Sequence, residues 1–204
     1  MNQKIAKGRA TRQYLVTMAT RLFAQAGFAA TSIEAVMAAA GTSRGALYHH
    51  FDGKTALFEA VLESVEADIA HAVVAASRGI ADPVEALRAG CNAWLDLARE
   101  PAVRQIVLVD APSVLGWAKW REIDARHGFG LMKAALKNAA KAGRLPSGLA
   151  GELRDPELVD MLAHMLLASV LEIALIIARS DDPASAKQNG RTAFEALIDR
   201  LFER

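Results

Sequence analysis

From Ile33 to Phe51 the chain alternates apolar and polar positions with the rhythm of two short helices. Ile33, Val36, Met37 and Ala40 recur at i, i+3, i+4 and i+7, which gives one buried stripe. Thr31 and Glu34 stand in the spacing of a capping box, so a helix is expected to begin there. Gly41 suits the left-handed stop of that helix, and Ser43 can cap the next one. In the second helix Leu47 and Phe51 are four residues apart and point inward, leaving Arg44, Gly45, Tyr48 and His49 on the outer side.

The same rhythm extends in both directions. Upstream, Leu15, Ala19, Leu22, Phe23 and Ala26 form one face of a helix expected from Arg12 to Ala26 and ended by Gly27. Downstream, Leu57, Phe58, Val61, Leu62, Val65 and Ile69 form the inner stripe of a helix from Lys54 to about Ser77, roughly 36 Å long. Asp82-Pro83, Asp155-Pro156 and Asp182-Pro183 each pair an N-cap aspartate with an N1 proline, so three further helices start there. Pro101 and Pro112 bracket a short helix containing Ile106, Val107 and Val109, and Gly143 closes a longer one that begins near Trp117. No segment sustains strand alternation and no internal repeat is present. An all-α chain of about nine helices is expected.

Composition narrows the class. A chain of 204 residues with 52% apolar content can bury a substantial core. The single cysteine, Cys91, cannot form an internal disulfide; it shares a helical face with Leu87, Trp94, Leu95 and Ala98 and reads as a core residue. No amino-terminal apolar stretch resembles a signal peptide, so a cytoplasmic location is expected. The run from Leu158 to Ala178 is apolar enough to raise a membrane span, but Asp160, His164 and Glu172 interrupt it, so a long packed helix is expected and no membrane partner.

Charge is unevenly distributed. Residues 1–54 hold seven Lys and Arg against two acidic residues, whereas the remainder holds 17 against 21. A basic amino-terminal end on a near-neutral chain suits a phosphate footprint. Lys4, Lys7, Arg9 and Arg12 precede the first acidic residue, Glu34; a DNA-contacting arm and a disordered solubilising tail both fit them. The outer side of the second short helix suits a duplex as well, since arginine can bond guanine in a bidentate manner and tyrosine and histidine can hold phosphates. A helical hairpin with a solvated polar face would look similar.

Thr31-Ser32-Ile33, Ala40-Gly41-Thr42-Ser43-Arg44-Gly45, Leu47-Tyr48-His49-His50-Phe51, and Lys54 with Leu57 together resemble the signature of the TetR family of transcriptional regulators. The resemblance is strong from Thr11 to about Ser64 and beyond that rests on helical layout. Thr42 stands where the family usually has valine, and Asp52 where it often has proline. The resemblance implies an N-terminal helix-turn-helix DNA-binding domain at residues 1–53. A ligand-binding and dimerisation domain would follow at 54–204, with 54–77 as connecting helix. It further implies DNA contacts from Thr31, Ser32, Thr42, Ser43, Arg44, Gly45, Tyr48, His49 and Lys54, the last on a phosphate. The implied partners are a double-stranded DNA operator, a small-molecule effector and a second copy of the chain.

The last two helices, Pro156 to Arg179 and Ala184 to Phe202, resemble the dimer-forming pair of that family. Leu167, Leu171 and Leu175 on one, with Leu197, Ile198 and Leu201 on the other, are the candidate interface residues, and burial within one subunit is the competing use. For the effector, Trp94, Trp117, Trp120, Met161 and Met165 could line a cavity or fill the core, while Asp110, His127 and His164 are polar groups that could orient a ligand. Catalytic residues and a metal site are not expected. H-E-x-x-H, paired C-x-x-C and a P-loop are absent from the sequence, and His49 and His50 diverge by about 100 degrees on a helix. No cofactor is expected. The reading is therefore a ligand-responsive regulator. Its alternatives are a ligand-sequestering or protein-interaction module without operator binding, and an enzyme working in a central cavity.

Overall fold

The computed structural model describes residues 2–145 and 156–202, with side chains from residue 6 onward. Among the described residues there are nine α-helices, one π-helical segment and no strand. The α-helices are α1 (Asn2–Ala30), α2 (Ile33–Ala40), α3 (Arg44–Tyr48), α4 (Lys54–Ser77), α5 (Pro83–Leu97), α6 (Ala111–Val114), α7 (Trp117–Lys141), α8 (Pro156–Arg179) and α9 (Pro183–Leu201). The π-helix spans Val103–Asp110 and runs directly into α6.

Two compact units are present, one made of residues 1–66 and 100–123, the other of residues 67–99 and 124–204. In the first, α1 packs on α2 and on the π-helix. Its core holds Leu15, Ala19, Phe23, Leu47, Leu57, Phe58, Val61 and Leu62, all with no exposed surface. Phe23, Phe28 and Phe58 form an aromatic triad with ring centroids 5.1–5.8 Å apart. In the second unit α5, α8 and α9 pack together. Cys91 lies buried there beside Leu87, Trp94 and Leu95 on the inner face of α5.

Helix ends follow the local chemistry. The Asp82 carboxylate accepts from the Val84 and Glu85 amides at 2.8 and 3.3 Å and also pairs with Arg144. Asp182 accepts from the Ser185 amide at 3.1 Å, whereas Asp155 lies outside the described residues. Beyond α7, Gly143 (φ 67°) donates to the Ala140 carbonyl and Arg144 to that of Ala139, which closes the helix as expected.

Three expectations are corrected. The basic amino-terminal segment is not a disordered tail: α1 already begins at Asn2, continuous with the core-facing stretch. The first cap of α2 is Ser32, whose hydroxyl accepts from the Ala35 amide at 3.0 Å, and not Thr31. Between Pro101 and Pro112 the backbone is π-helical over Val103–Asp110, which places the consecutive residues Ile106, Val107 and Leu108 all in the interior.

Candidate nucleic-acid interface

A tight reversal presents α3. At the end of α2, Gly41 adopts φ 57°, ψ 34°, and its amide and that of Thr42 bond back to Ala38 and Met37 at 3.2 and 3.0 Å. Only glycine takes that conformation cheaply. Two residues on, the Ser43 hydroxyl accepts from the Ala46 amide at 3.3 Å and starts α3. Ile33 and Val36 on α2, with Leu47 and Phe51 around α3, are buried and fix the angle between the two helices.

What α3 does not bury, it displays. Ser43, Arg44, Gly45, Tyr48 and His49 are all exposed, and Thr42 is half-buried. Nothing lies within 4 Å of where a Gly45 side chain would begin, so the backbone there is open to close approach. The Arg44 guanidinium sits 5.4 Å over the Tyr48 ring and 3.7 Å from the Glu34 carboxylate. Arginine stacked on an aromatic face keeps its planar fork of donors free at the edge, the geometry that suits guanine or phosphate.

Flanking cations extend the face. The Arg12 guanidinium lies 4.9 Å over Phe51, and the half-buried Lys54, first residue of α4, places its ammonium 4.2 Å over Phe28. Thr31 does not join this set. It is buried, and its hydroxyl donates to the Gly27 carbonyl at 2.8 Å, which commits it to the α1–α2 corner. Ser32 is exposed while capping α2.

The candidate ligand residues are dispersed. Trp94 and Trp120 are buried, Trp117 is exposed and meets Trp120 edge-on at 4.9 Å, and His127 is half-buried. Met161 and Met165 project from the outer side of α8, 61% and 59% exposed. His164 is exposed and stacks on Phe129 at 4.2 Å. Asp110 accepts from the Phe28 amide at 2.7 Å, so its carboxylate is engaged within the first unit.

The candidate interface residues divide between the interior and the surface. Leu167, Leu171, Leu175 and Ile198 are buried inside the protomer, Leu201 is half-buried and Leu197 is exposed. The outward apolar strip is instead Met161, Met165 and Ile176 of α8 with Leu197 of α9, beside a groove lined by Ala168, Ser169, Glu172, Ile173 and Ala193. Because α8 is apolar around most of its circumference, its sequence could not distinguish the inner stripe from the outer one. Sequence reasoning also passed over Glu34 as the partner of Arg44, and over Phe28 as the seat of Lys54. Glu34 could have been found, since residues ten apart across a helical hairpin can meet; Phe28 carried no such signal.

The comparisons agree with the geometry. The family model described as "Bacterial regulatory proteins, tetR family" matches residues 15–61, and "Tetracyclin repressor-like, C-terminal domain" matches residues 84–201. A TetR-family transcriptional regulator from Pectobacterium atrosepticum has 32% identity and a TM-score of 0.83, covering 98% of this chain and 97% of that one. The regulator TtgR of Pseudomonas putida is 28% identical over 153 residues, 70% of this chain and 71% of that protein. With the regulator AcrR of Shigella flexneri the likeness is 44% over 59 residues, 29% of this chain and 27% of that protein's length. With its helix-turn-helix, its helical body and both family models matched in order, the chain belongs to the TetR family of transcriptional regulators.

Proposed function

We propose that the protein is a ligand-responsive repressor that acts in the cytoplasm as a homodimer on a palindromic operator. The observation that carries this reading is the outward face of α3, where Ser43, Arg44, Gly45, Tyr48 and His49 are exposed to solvent in the basic amino-terminal part of the chain. Arg44 would read base edges in the major groove, Ser43, Thr42, Tyr48 and His49 would contact the backbone and adjacent bases, and Lys54 would hold a phosphate. Lys54 opens α4, so the positive helix end adds to its charge.

Two such heads are needed, because palindromic sites present half-sites about 34–36 Å apart. The exposed strip of Met161, Met165, Ile176 and Leu197 supports a second copy as its cover, since apolar patches of that kind mark interaction surfaces. Effector binding in the helical body would favour a state with a different spacing of the two heads. Coupling of about 1–3 kcal/mol would weaken operator affinity roughly 5- to 150-fold. The tryptophans and methionines gathered between residues 94 and 165 support an apolar or amphipathic effector. No covalent chemistry is involved in this cycle.

The test is selection of a duplex from random sequence by the purified protein, followed by titration across salt. An inverted repeat bound by two chains, with log affinity falling steeply against log salt, is the expected outcome. Failure to enrich any duplex would refute operator binding and favour a ligand-sequestering or protein-interaction module.

A further inference from the structure

Gly27 breaks the first helix. Its backbone (φ 77°, ψ 169°) leaves helical geometry within α1, so amides just beyond it lose their place on the helical ladder. The Phe28 amide is taken up from 82 residues away: Oδ2 of Asp110, the last residue of the π-helix, accepts it at 2.7 Å. A carboxylate acceptor at that distance makes one of the stronger hydrogen bonds available to a backbone amide. Gln105 closes the same corner, with its Nε2 3.1 Å from where a Gly27 side chain would begin.

Phe28 and the next residue, Ala29, also seat Lys54. Its ammonium lies 4.2 Å over the Phe28 ring and donates to the Ala29 carbonyl at 3.4 Å. Among the described residues no carboxylate pairs with it. The ammonium is thus aimed by residues 28 and 29 and left available for an anion.

We propose that Asp110 is a positioning residue for DNA binding: by holding the Phe28 amide it sets the Phe28–Ala29 backbone on which the Lys54 ammonium rests, and so places the phosphate contact. This rests on the operator-binding reading above. It reassigns Asp110 from effector recognition to the joint between the π-helix and the reading head. A single oxygen-to-amide bond there makes the lysine's position depend on the π-helix, an element whose hydrogen-bond register differs from that of its α-helical continuation.

The experiment is a double-mutant cycle on the full chain, read as affinity for the duplex that wild-type protein selects from random sequence, at two salt concentrations. Asp110→Ala is expected to weaken binding about 3- to 10-fold and Asp110→Asn less, because its amide oxygen still accepts. The salt slope should fall by up to about one for Asp110→Ala, as for loss of one lysine–phosphate contact. On a Lys54→Ala background Asp110→Ala should add nothing. Additive losses, or a lower melting temperature with unchanged affinity and slope, would show a purely structural role and overturn the proposal. Should Asp110→Ala fail to fold, the Asp110→Asn and Lys54→Ala pair decides by the same non-additivity. If wild-type protein selects no duplex, the operator-binding reading itself has failed; a duplex bound equally well by both Asp110 variants refutes this proposal alone.

Discussion

The guanidinium of Arg44 lies 3.7 Å from the carboxylate of Glu34, one on α3 and the other in the first turn of α2. Both side chains are more than 60% exposed, so the pair contributes at most about 1 kcal/mol to stability. Its larger effect is on the surface the duplex would meet, where Glu34 offsets part of the arginine's charge. Replacing Glu34 with Gln should therefore raise affinity for random-sequence DNA at low salt, by about 2- to 5-fold, with little change in melting temperature. Fluorescence anisotropy on an unselected duplex measures this, and unchanged or weaker binding would mean that the carboxylate does not act on the DNA-facing surface.

A second prediction concerns α8 and α9. A side chain at Gly190 would collide with Cγ2 of Ile173, and a β-branched methyl has little freedom to retreat. Gly190→Ala should push the helices apart and cost about 1–3 kcal/mol in chemical denaturation. A variant as stable as the parent would show that this close approach does not organise the pair.

Acid sensitivity should arise at the start of α5. Desolvation alone would raise the Asp82 carboxyl, but the Val84 and Glu85 amides and the Arg144 guanidinium outweigh it and hold the group below its ordinary value. A depressed folded-state pKa contributes stability that is present above the unfolded pKa and disappears as pH falls through the folded one. Stability should thus decline from about pH 4 downward, and the decline should be shallower in Asp82→Ala. Parallel curves for the two proteins in urea titrations between pH 6 and 2.5 would contradict this.

Cys91 should be inert. Burial pushes its thiol up to about 12, leaving almost no thiolate at neutral pH. A thiol reagent such as dithionitrobenzoate should label it only upon unfolding; rapid labelling of the native protein would place it on an accessible surface.

Much of this architecture was legible because it is local. An aspartate before a proline pairs a side-chain cap with a residue suited to the first helical position, so Asp82 and Asp182 mark α5 and α9 without reference to the rest of the chain. The inner stripe of α4 and the display of Arg44, Tyr48 and His49 follow from helical spacing alone. Elsewhere two residues competed for one role. Thr31 and Ser32 are both good caps, and the choice was made by the buried corner at Gly27, where the Thr31 hydroxyl finds a carbonyl acceptor. The π-helix left no trace in composition, because a change of hydrogen-bond register alters no residue. The Asp110–Phe28 bond joins residues 82 apart and could be seen only after folding.

Arg44 and its neighbours on α3 are expected to read DNA. The most direct measurement compares affinity for the selected duplex and for random sequence, in wild-type protein and in Arg44→Ala, at one salt concentration. One lost bidentate contact is worth about 1–3 kcal/mol of discrimination, so the ratio of the two affinities should fall by roughly 5- to 150-fold while the melting temperature stays the same. An unchanged ratio in a folded variant would contradict the account.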